Sequence, residues 1–158
     1  MRKTPLVAAA VVAAAVLVIN TTMASGAATL DLVFGPEGNT KEVAFDTDGN
    51  GLRFGERLVA RAPLRDQTRS EKLGRGLVDC VVQRRIIDPD EGLWNCTYVL
   101  KLGDGDIILQ GLDPRGPGVY EMAVLGGTGA YSRASGDATF TDVGSRPDAF
   151  TEMAIQLH

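Results

Sequence analysis

The sequence predicts an all-β sandwich or barrel that follows an N-terminal export segment. Helical periodicity is almost absent after the first residues, whereas short apolar stretches bounded by Gly, Pro, Asp or Asn recur along the chain. Nine such stretches are candidate strands: residues 29–34, 41–45, 57–63, 76–87, 93–102, 106–112, 120–125, 134–141 and 149–157. Because the stretches are short and regularly spaced, they are typical of one β domain.

Residues 1–27 have the organisation of a secretory signal peptide. Arg2 and Lys3 precede an uncharged apolar run, and the small residues MASGAA follow it. We expect cleavage near Ala27 or Ala28, which leaves residues 28–158 as the mature domain. An uncleaved membrane anchor is the alternative, although the run is shorter than the roughly 20 residues that span a bilayer comfortably. The predicted location is therefore secreted or cell-envelope, with membrane association only through this segment.

The loop after the second candidate strand, DTDGNGLRFGE at 46–56, is similar to a calcium-binding loop. Asp46, Asp48 and Asn50 supply oxygen ligands, and a glycine follows. An EF-hand also needs a bidentate Glu at the twelfth position and flanking helices. Arg57 occupies that position and Glu56 comes one residue early. We predict a polar turn here and no metal site.

The fourth and fifth candidate strands contain the two cysteines of the chain. The turn DPDEG at 88–92 joins these strands as a hairpin, and Cys80 and Cys96 are nearly equidistant from it. Directly opposed Cβ atoms of an antiparallel pair lie about 4.5 to 5.5 Å apart, close to disulfide reach. Export would place them where disulfides persist. We predict a Cys80–Cys96 disulfide, with two buried free thiols as the alternative.

Alternation along these two strands predicts which side chains face inward. If Cys80 faces the interior, its neighbours Val78 and Val82 do so too. If Trp94 faces the interior, then Cys96, Tyr98 and Leu100 follow. The residues left on the outer face include the polar Asp79, Gln83, Asn95, Thr97 and Lys101. The two strands therefore agree on one apolar inner face.

The glycine-rich stretch GGTGAYSRASGD at 126–137 follows an apolar strand and could be taken for a phosphate-binding loop. It matches neither GxxxxGK followed by Ser or Thr nor GxGxxG opening a helix. The residues that follow, DATFT, alternate polar and apolar positions as a strand does. We predict a sharp bend or a close approach of neighbouring backbone.

Composition argues against several function classes. The formal net charge is −4, and basic pairs such as Arg84 and Arg85 are not interleaved with aromatic residues, so nucleic acid is not an expected partner. The single histidine is His158 at the terminus. A Ser-His-Asp site and an imidazole metal site are therefore not expected.

The ordered motifs resemble those of allene oxide cyclases and dirigent proteins. GGTGA at 126–130, then Tyr131 and ASGD at 134–137, resemble the family's GGTG segment and the strand that follows it. Further matching segments stand in the same order over about residues 29–157: GE and LV at 55–59, DCVV at 79–82, WNCTY at 94–98, GD at 103–104 and LQG at 109–111. The resemblance implies a closed up-and-down antiparallel barrel of eight strands, commonly a trimer, with an apolar cavity. Its relatives bind hydrophobic or aromatic intermediates and direct their cyclisation or coupling, generally without a cofactor.

The resemblance also implies site residues. Asp31 stands where the plant cyclases have a carboxylate that stabilises charge during ring closure, so Asp31 is the expected catalytic residue. Val33 replaces the family's Asn and no matching Pro follows, which puts plant-type epoxide chemistry in doubt. Cys80 stands at a cavity Cys, Trp94 at a cavity aromatic and Asp113 at a pocket Tyr. We expect Trp94, Tyr98, Val78 and Val82 to bind substrate.

Two alternatives stay open for these residues. Asp31 could instead be an inward acid satisfied by Arg or water, or belong to a first strand that has frayed to solvent. Trp94 and Tyr98 could simply fill the core, because pocket lining and core packing use the same residue types.

The leading hypothesis is a cofactor-independent cyclase that folds a hydrophobic, polyketide-like intermediate for intramolecular ring closure, as similar bacterial spirotetronate cyclases do. The expected partners are a small hydrophobic substrate and further copies of the chain in a trimer or dimer. A non-catalytic secreted barrel that carries a lipophilic ligand is the main alternative. A structural trimer with a filled interior is the third.

Overall fold

The computed structural model describes residues 28–35, 41–45, 53–84, 92–114, 118–144 and 148–158, with the backbone alone described at 41–45 and 84. The predicted signal segment, most of the calcium-like loop and the turn between the fourth and fifth strands lie outside these residues. Within the described residues, no helix has the length and apolar character needed to cross a membrane.

The described residues form nine strands and one 3-10 turn. The strands are β1 (Ala28–Phe34), β2 (Lys41–Phe45), β3 (Arg57–Arg65), β4 (Lys72–Arg84), β5 (Leu93–Leu102), β6 (Gly105–Asp113), β7 (Gly118–Gly127), β8 (Gly136–Val143) and β9 (Phe150–Leu157). All neighbouring strands are antiparallel, in the order β1-β9-β8-β7-β6-β5-β4-β3-β2.

The sheet closes on itself because β1 and β2 share one edge of β3. β2 pairs with the first half of β3, where Lys41 opposes Arg61. β1 pairs with the end of β3, where Phe34 opposes Leu64. The two short strands therefore fill one position of a closed eight-stranded antiparallel barrel, which confirms the predicted fold.

Several strand boundaries differ from the predicted ones, and the starts of β4 and β8 show why. β4 begins at Lys72 rather than at residue 76, because its polar start pairs with β3 on one side, as in Leu64 opposite Gly74, and with β5 on the other. β8 begins at Gly136 rather than at residue 134, because the chain first makes the 3-10 turn Gly129–Tyr131.

The glycine-rich stretch packs against the β5–β6 turn. The amide of Thr128 donates to the Asp106 carbonyl at 2.9 Å, and the amide of Ala130 donates to the Asp104 carbonyl at 3.0 Å. Gly129 has φ +58°, and a Cβ there would lie 2.2 Å from the Asp104 carbonyl oxygen. The predicted close approach is confirmed, and these amides are committed to protein carbonyls rather than to a phosphate.

One side-chain face of every strand whose burial is described lines the barrel interior. In β5, inward and outward positions alternate along the whole strand, as the sequence pattern predicts. The inward residues of β4 and β5 are all at most 7% exposed: Val78, Cys80, Val82, Trp94, Cys96, Tyr98 and Leu100. The cluster continues around the barrel through Leu32, Leu58, Leu64, Ile107, Leu109, Tyr120, Met122, Val124, Ala138, Phe140, Met153 and Ile155.

Candidate functional site on the inner wall

Trp94 lies on the inner wall of the barrel, at the end where β5 begins and β6 ends. It is opposed by Val82 of β4 on one side and by Asp113 of β6 on the other. Trp94 is 1% exposed, Val82 is 0% exposed and Asp113 is 6% exposed. Strand register therefore brings an indole, an aliphatic side chain and a carboxylate into one row facing inward.

The next inward row contains the disulfide. Cys80 opposes Cys96 across β4 and β5, and their sulfur atoms are bonded at 2.05 Å. The predicted pairing is confirmed, and neither cysteine is free. Such a bond is typical of proteins that work outside the cytoplasm.

Asp113 is the one charged residue among the buried residues that the structure describes. It faces inward because alternation in β6 runs through Ile107 and Leu109, both fully buried, to Gly111 and then Asp113. One of its carboxylate oxygens, Oδ2, lies 3.9 Å from Sγ of Cys96. Because a disulfide sulfur carries no hydrogen, this contact brings no donated hydrogen bond to the carboxylate.

A group of four aromatic rings lies on the same inner wall as Asp113. The ring of Tyr98 lies 5.0 Å from that of Phe140 in an edge-to-face arrangement, and Tyr120 lies 5.4 Å from Phe140. Phe34 packs edge-on against Tyr98 at 5.8 Å. These rings give the wall a large, rigid apolar surface.

The hydroxyl of Tyr120 is held in its protonated form. Burial raises the pKa of Tyr120 well above its ordinary value, and the neighbouring Tyr98, Asp113 and Asp142 raise it further. Side-chain hydrogen bonding with Tyr98 raises the pKa of Tyr120 as well. Gly111 of β6 pairs with Met122 of β7. Two residues further along β6, the same antiparallel register places Asp113 opposite Tyr120. The polar atoms of this wall thus collect around one carboxylate.

Sequence reasoning did not assign Asp113, Tyr120 or Phe140 to the site. Asp113 was placed only at a position where related barrels have a pocket tyrosine. The signal that could have found all three is the two-residue alternation of β6, β7 and β8, which is as regular as in β4 and β5.

The structure corrects the expected position of Asp31. Its side chain is exposed on the outer face of β1, opposite Ala154 of β9. Leu30, Leu32 and Phe34 are the residues of β1 that pack on the core, and a strand turns successive side chains to opposite faces. Asp31 therefore does not reach the interior, where the expected catalytic carboxylate would have to lie.

The ligand atoms of Cys80, Cys96 and Asp113 lie within 4.8 Å of one another. This spacing could suit a metal ion, but both sulfur atoms are bonded to each other and are not thiolate ligands. The oxidised protein therefore has a disulfide beside a carboxylate at this position rather than a set of metal ligands.

A separate groove of about 670 Å³ lies on the outside of the barrel. It runs across β3, β4 and β5 and is lined mainly by outward side chains, among them Val59, Arg61, Leu77, Asp79 and Val99. It does not contain Trp94, Asp113 or the aromatic rings, so it is distinct from the inner wall.

No protein-family model matches the sequence, and no curated protein matches it significantly. Solved structures do share its fold. A pyocyanin demethylase superposes with a TM-score of 0.64 at 23% identity, covering 81% of this chain and 99% of its own. A pterocarpan synthase dirigent protein superposes with a TM-score of 0.63 at 22% identity, covering 83% of each chain.

The Diels-Alderase AbmU from Streptomyces koyangensis has a TM-score of 0.61 at 11% identity, with coverage of 84% of this chain and 63% of its own. The fold is therefore the one shared by dirigent proteins, Diels-Alderases and pyocyanin demethylase. The resemblance found in the motifs is confirmed at the level of this barrel fold.

Proposed function

We propose that this protein binds a small hydrophobic natural-product intermediate inside its barrel and directs intramolecular ring closure without a cofactor. The observation that carries the proposal is the buried inner wall that combines Trp94 and Asp113 with the rings of Tyr98, Tyr120 and Phe140. The fold is used by a Diels-Alderase and by a pterocarpan synthase dirigent protein, which supports a ring-forming role here.

The wall would act mainly by holding a flexible molecule in a reactive shape. Trp94, Tyr98, Val78 and Val82 would restrict its conformations, and well-oriented intramolecular reactions can gain about 7 to 11 kcal/mol in this way. The protonated hydroxyl of Tyr120 could donate to an oxygen that gains negative charge as the ring closes. Such a catalyst needs few ionisable groups, in agreement with the single buried charged residue described.

The same proposal places the protein outside the cytoplasm, exported by residues 1–27. The disulfide supports an oxidising compartment. Mass determination of the protein recovered from its native host tests this point. A mature chain beginning near residue 28 is expected, and a full-length chain in the membrane fraction would instead indicate an uncleaved anchor.

A carrier that binds a lipophilic molecule without changing it is the second candidate. It is favoured by the absence of histidine, lysine and arginine from the buried residues that the structure describes. A carrier would use the same aromatic wall and would need neither Tyr120 nor Asp113 for chemistry.

The experiment uses the single tryptophan of the chain, Trp94, as its reporter. Binding of an apolar molecule to the inner wall should change the emission of this buried indole, and mass spectrometry of the purified protein should identify a bound compound. A linear precursor of that compound, incubated with the protein, is expected to give the cyclised product faster than in buffer. Binding without accelerated ring closure would identify a carrier, and no binding would reject both functions.

A further inference from the structure

We infer that the molecule bound by this barrel has an apolar body with a hydrogen-bond donor at one end, a hydroxyl or N–H group, which the carboxylate of Asp113 accepts. The inference rests on the proposed function, because it names the chemical class of the molecule that the same inner wall would hold.

The first argument is that Asp113 is a charged residue among inward residues of β6 that are otherwise apolar. The inward residues before it in β6, Ile107 and Leu109, are fully buried and apolar. Folding alone favours an apolar side chain at such a position, because transfer of a carboxylate out of water is costly. A buried acid kept on an apolar wall is therefore a candidate for function.

The second argument is the acceptor capacity of a carboxylate. Its two oxygens offer about four lone-pair positions, so Asp113 can accept from a bound molecule in addition to its contacts within the protein. A hydroxyl or N–H group brought by a ligand would supply a charge-assisted hydrogen bond, which is shorter and stronger than a neutral one.

The third argument is orientation. Trp94 stands beside Asp113 on one side, and the strand register places Tyr120 on the other. The interior away from this group is lined by aliphatic residues, among them Leu100 and Ile155, both fully buried. A molecule with one polar end would therefore lie with that end at Asp113 and its apolar body against these aliphatic residues.

The test compares menthol with its methyl ether. The two probes share one carbon skeleton and one oxygen, but only the alcohol can donate. Affinities are measured from the emission of Trp94 and by calorimetry. Menthol is expected to bind the wild-type protein about tenfold more tightly or better, as a hydrogen bond to a charged group predicts. The Asp113→Asn variant should lose most of this preference, while Asp137→Asn, an exposed acid of β8, should keep it.

The outcomes separate the two proposals. Equal affinity for both probes in the wild-type protein would overturn this inference and leave the proposed binding function standing. A preference for menthol that persists in a folded Asp113→Asn variant would also overturn it. Failure of the wild-type protein to bind either probe would reject the proposed function together with the inference. The alcohol and ether comparison needs no variant, so equal affinities would overturn the inference even if Asp113→Asn does not fold.

Discussion

Cys80 and Cys96 stand directly opposite each other in β4 and β5, and their disulfide faces the inside of the barrel. The bond lies one row from Trp94 and within 3.9 Å of the Asp113 carboxylate. It therefore joins the two strands that present Trp94, Tyr98, Val78 and Val82 to the interior. Rigid support of this kind keeps the wall of a binding site in one shape.

Removing the disulfide should lower stability measurably. The bond joins residues 16 positions apart, and a loop of about that length contributes roughly 3 kcal/mol by restricting the unfolded chain. The double variant Cys80→Ala with Cys96→Ala is expected to lose about that free energy of unfolding in urea. Reductant should destabilise the wild-type protein similarly and leave the double variant unchanged. Equal stability of oxidised and reduced wild-type protein would contradict the prediction.

Gly129 should not tolerate a side chain. Its φ of +58° is disfavoured for other residues by about 1 to 2 kcal/mol, and a Cβ would collide with the Asp104 carbonyl oxygen at 2.2 Å. Gly129→Ala is expected to lower the free energy of unfolding by about 2 kcal/mol or more. Gly103 lies in the neighbouring turn with open space around it, so Gly103→Ala should stay within about 0.5 kcal/mol of wild type. Similar losses in both variants would show that the close packing of Gly129 is not the cause.

The strands and their inward faces could be predicted from sequence because both depend on short-range patterns. Alternation in β4 and β5 grouped Val82 with Cys80, and Trp94 with Cys96, on one face of each strand without any knowledge of neighbouring strands. The disulfide followed from the distance of each cysteine to one turn. The closure of the barrel through β1 and β3 could not be derived in this way, because it joins strands that β2 separates along the chain. The closure of the barrel was predicted from the family resemblance alone.

Asp31 was expected to face inward because the resemblance was followed residue by residue, while alternation was not applied to β1. Leu30 and Leu32 on the core side leave Asp31 outside. The same alternation in β6 would have turned Asp113 inward. An alignment error of one position along a strand turns the assigned side chain to the opposite face. An alignment at low identity therefore does not determine which acidic side chain points into the barrel.

Phe140 should be among the residues most important for stability. It is fully buried and contacts both Tyr98 and Tyr120. Phe140→Ala is expected to lower the free energy of unfolding by about 3 to 5 kcal/mol, because it removes these contacts and leaves a cavity. Phe54 is 73% exposed, so Phe54→Ala should change stability by no more than about 0.5 kcal/mol. Chemical denaturation of both variants checks the contrast, and a small loss for Phe140→Ala would show that the ring cluster is not a packed part of the core.

Alkaline pH should destabilise the protein through Tyr120. In the unfolded chain this hydroxyl ionises near its ordinary pKa of about 10, whereas burial and the neighbouring Tyr98 and Asp113 raise its pKa in the folded state. Above about pH 10 the unfolded chain loses a proton that the folded protein keeps, so the free energy of unfolding falls as pH rises. Each such group contributes about 1.4 kcal/mol per pH unit in that range, and none below it.

Tyr131 adds to the same trend, because burial and Asp104 raise its pKa to about 12. It is more exposed than Tyr120, so its contribution is smaller and ends near that pH. Urea unfolding between about pH 8 and pH 11 measures the slope. Tyr120→Phe is expected to reduce the slope of the free energy of unfolding against pH by the equivalent of about one proton. Tyr131→Phe should reduce this slope by less. If Tyr120→Phe follows the wild-type slope throughout, the hydroxyl of Tyr120 already ionises in the folded protein and cannot serve as the proton donor proposed for the inner wall.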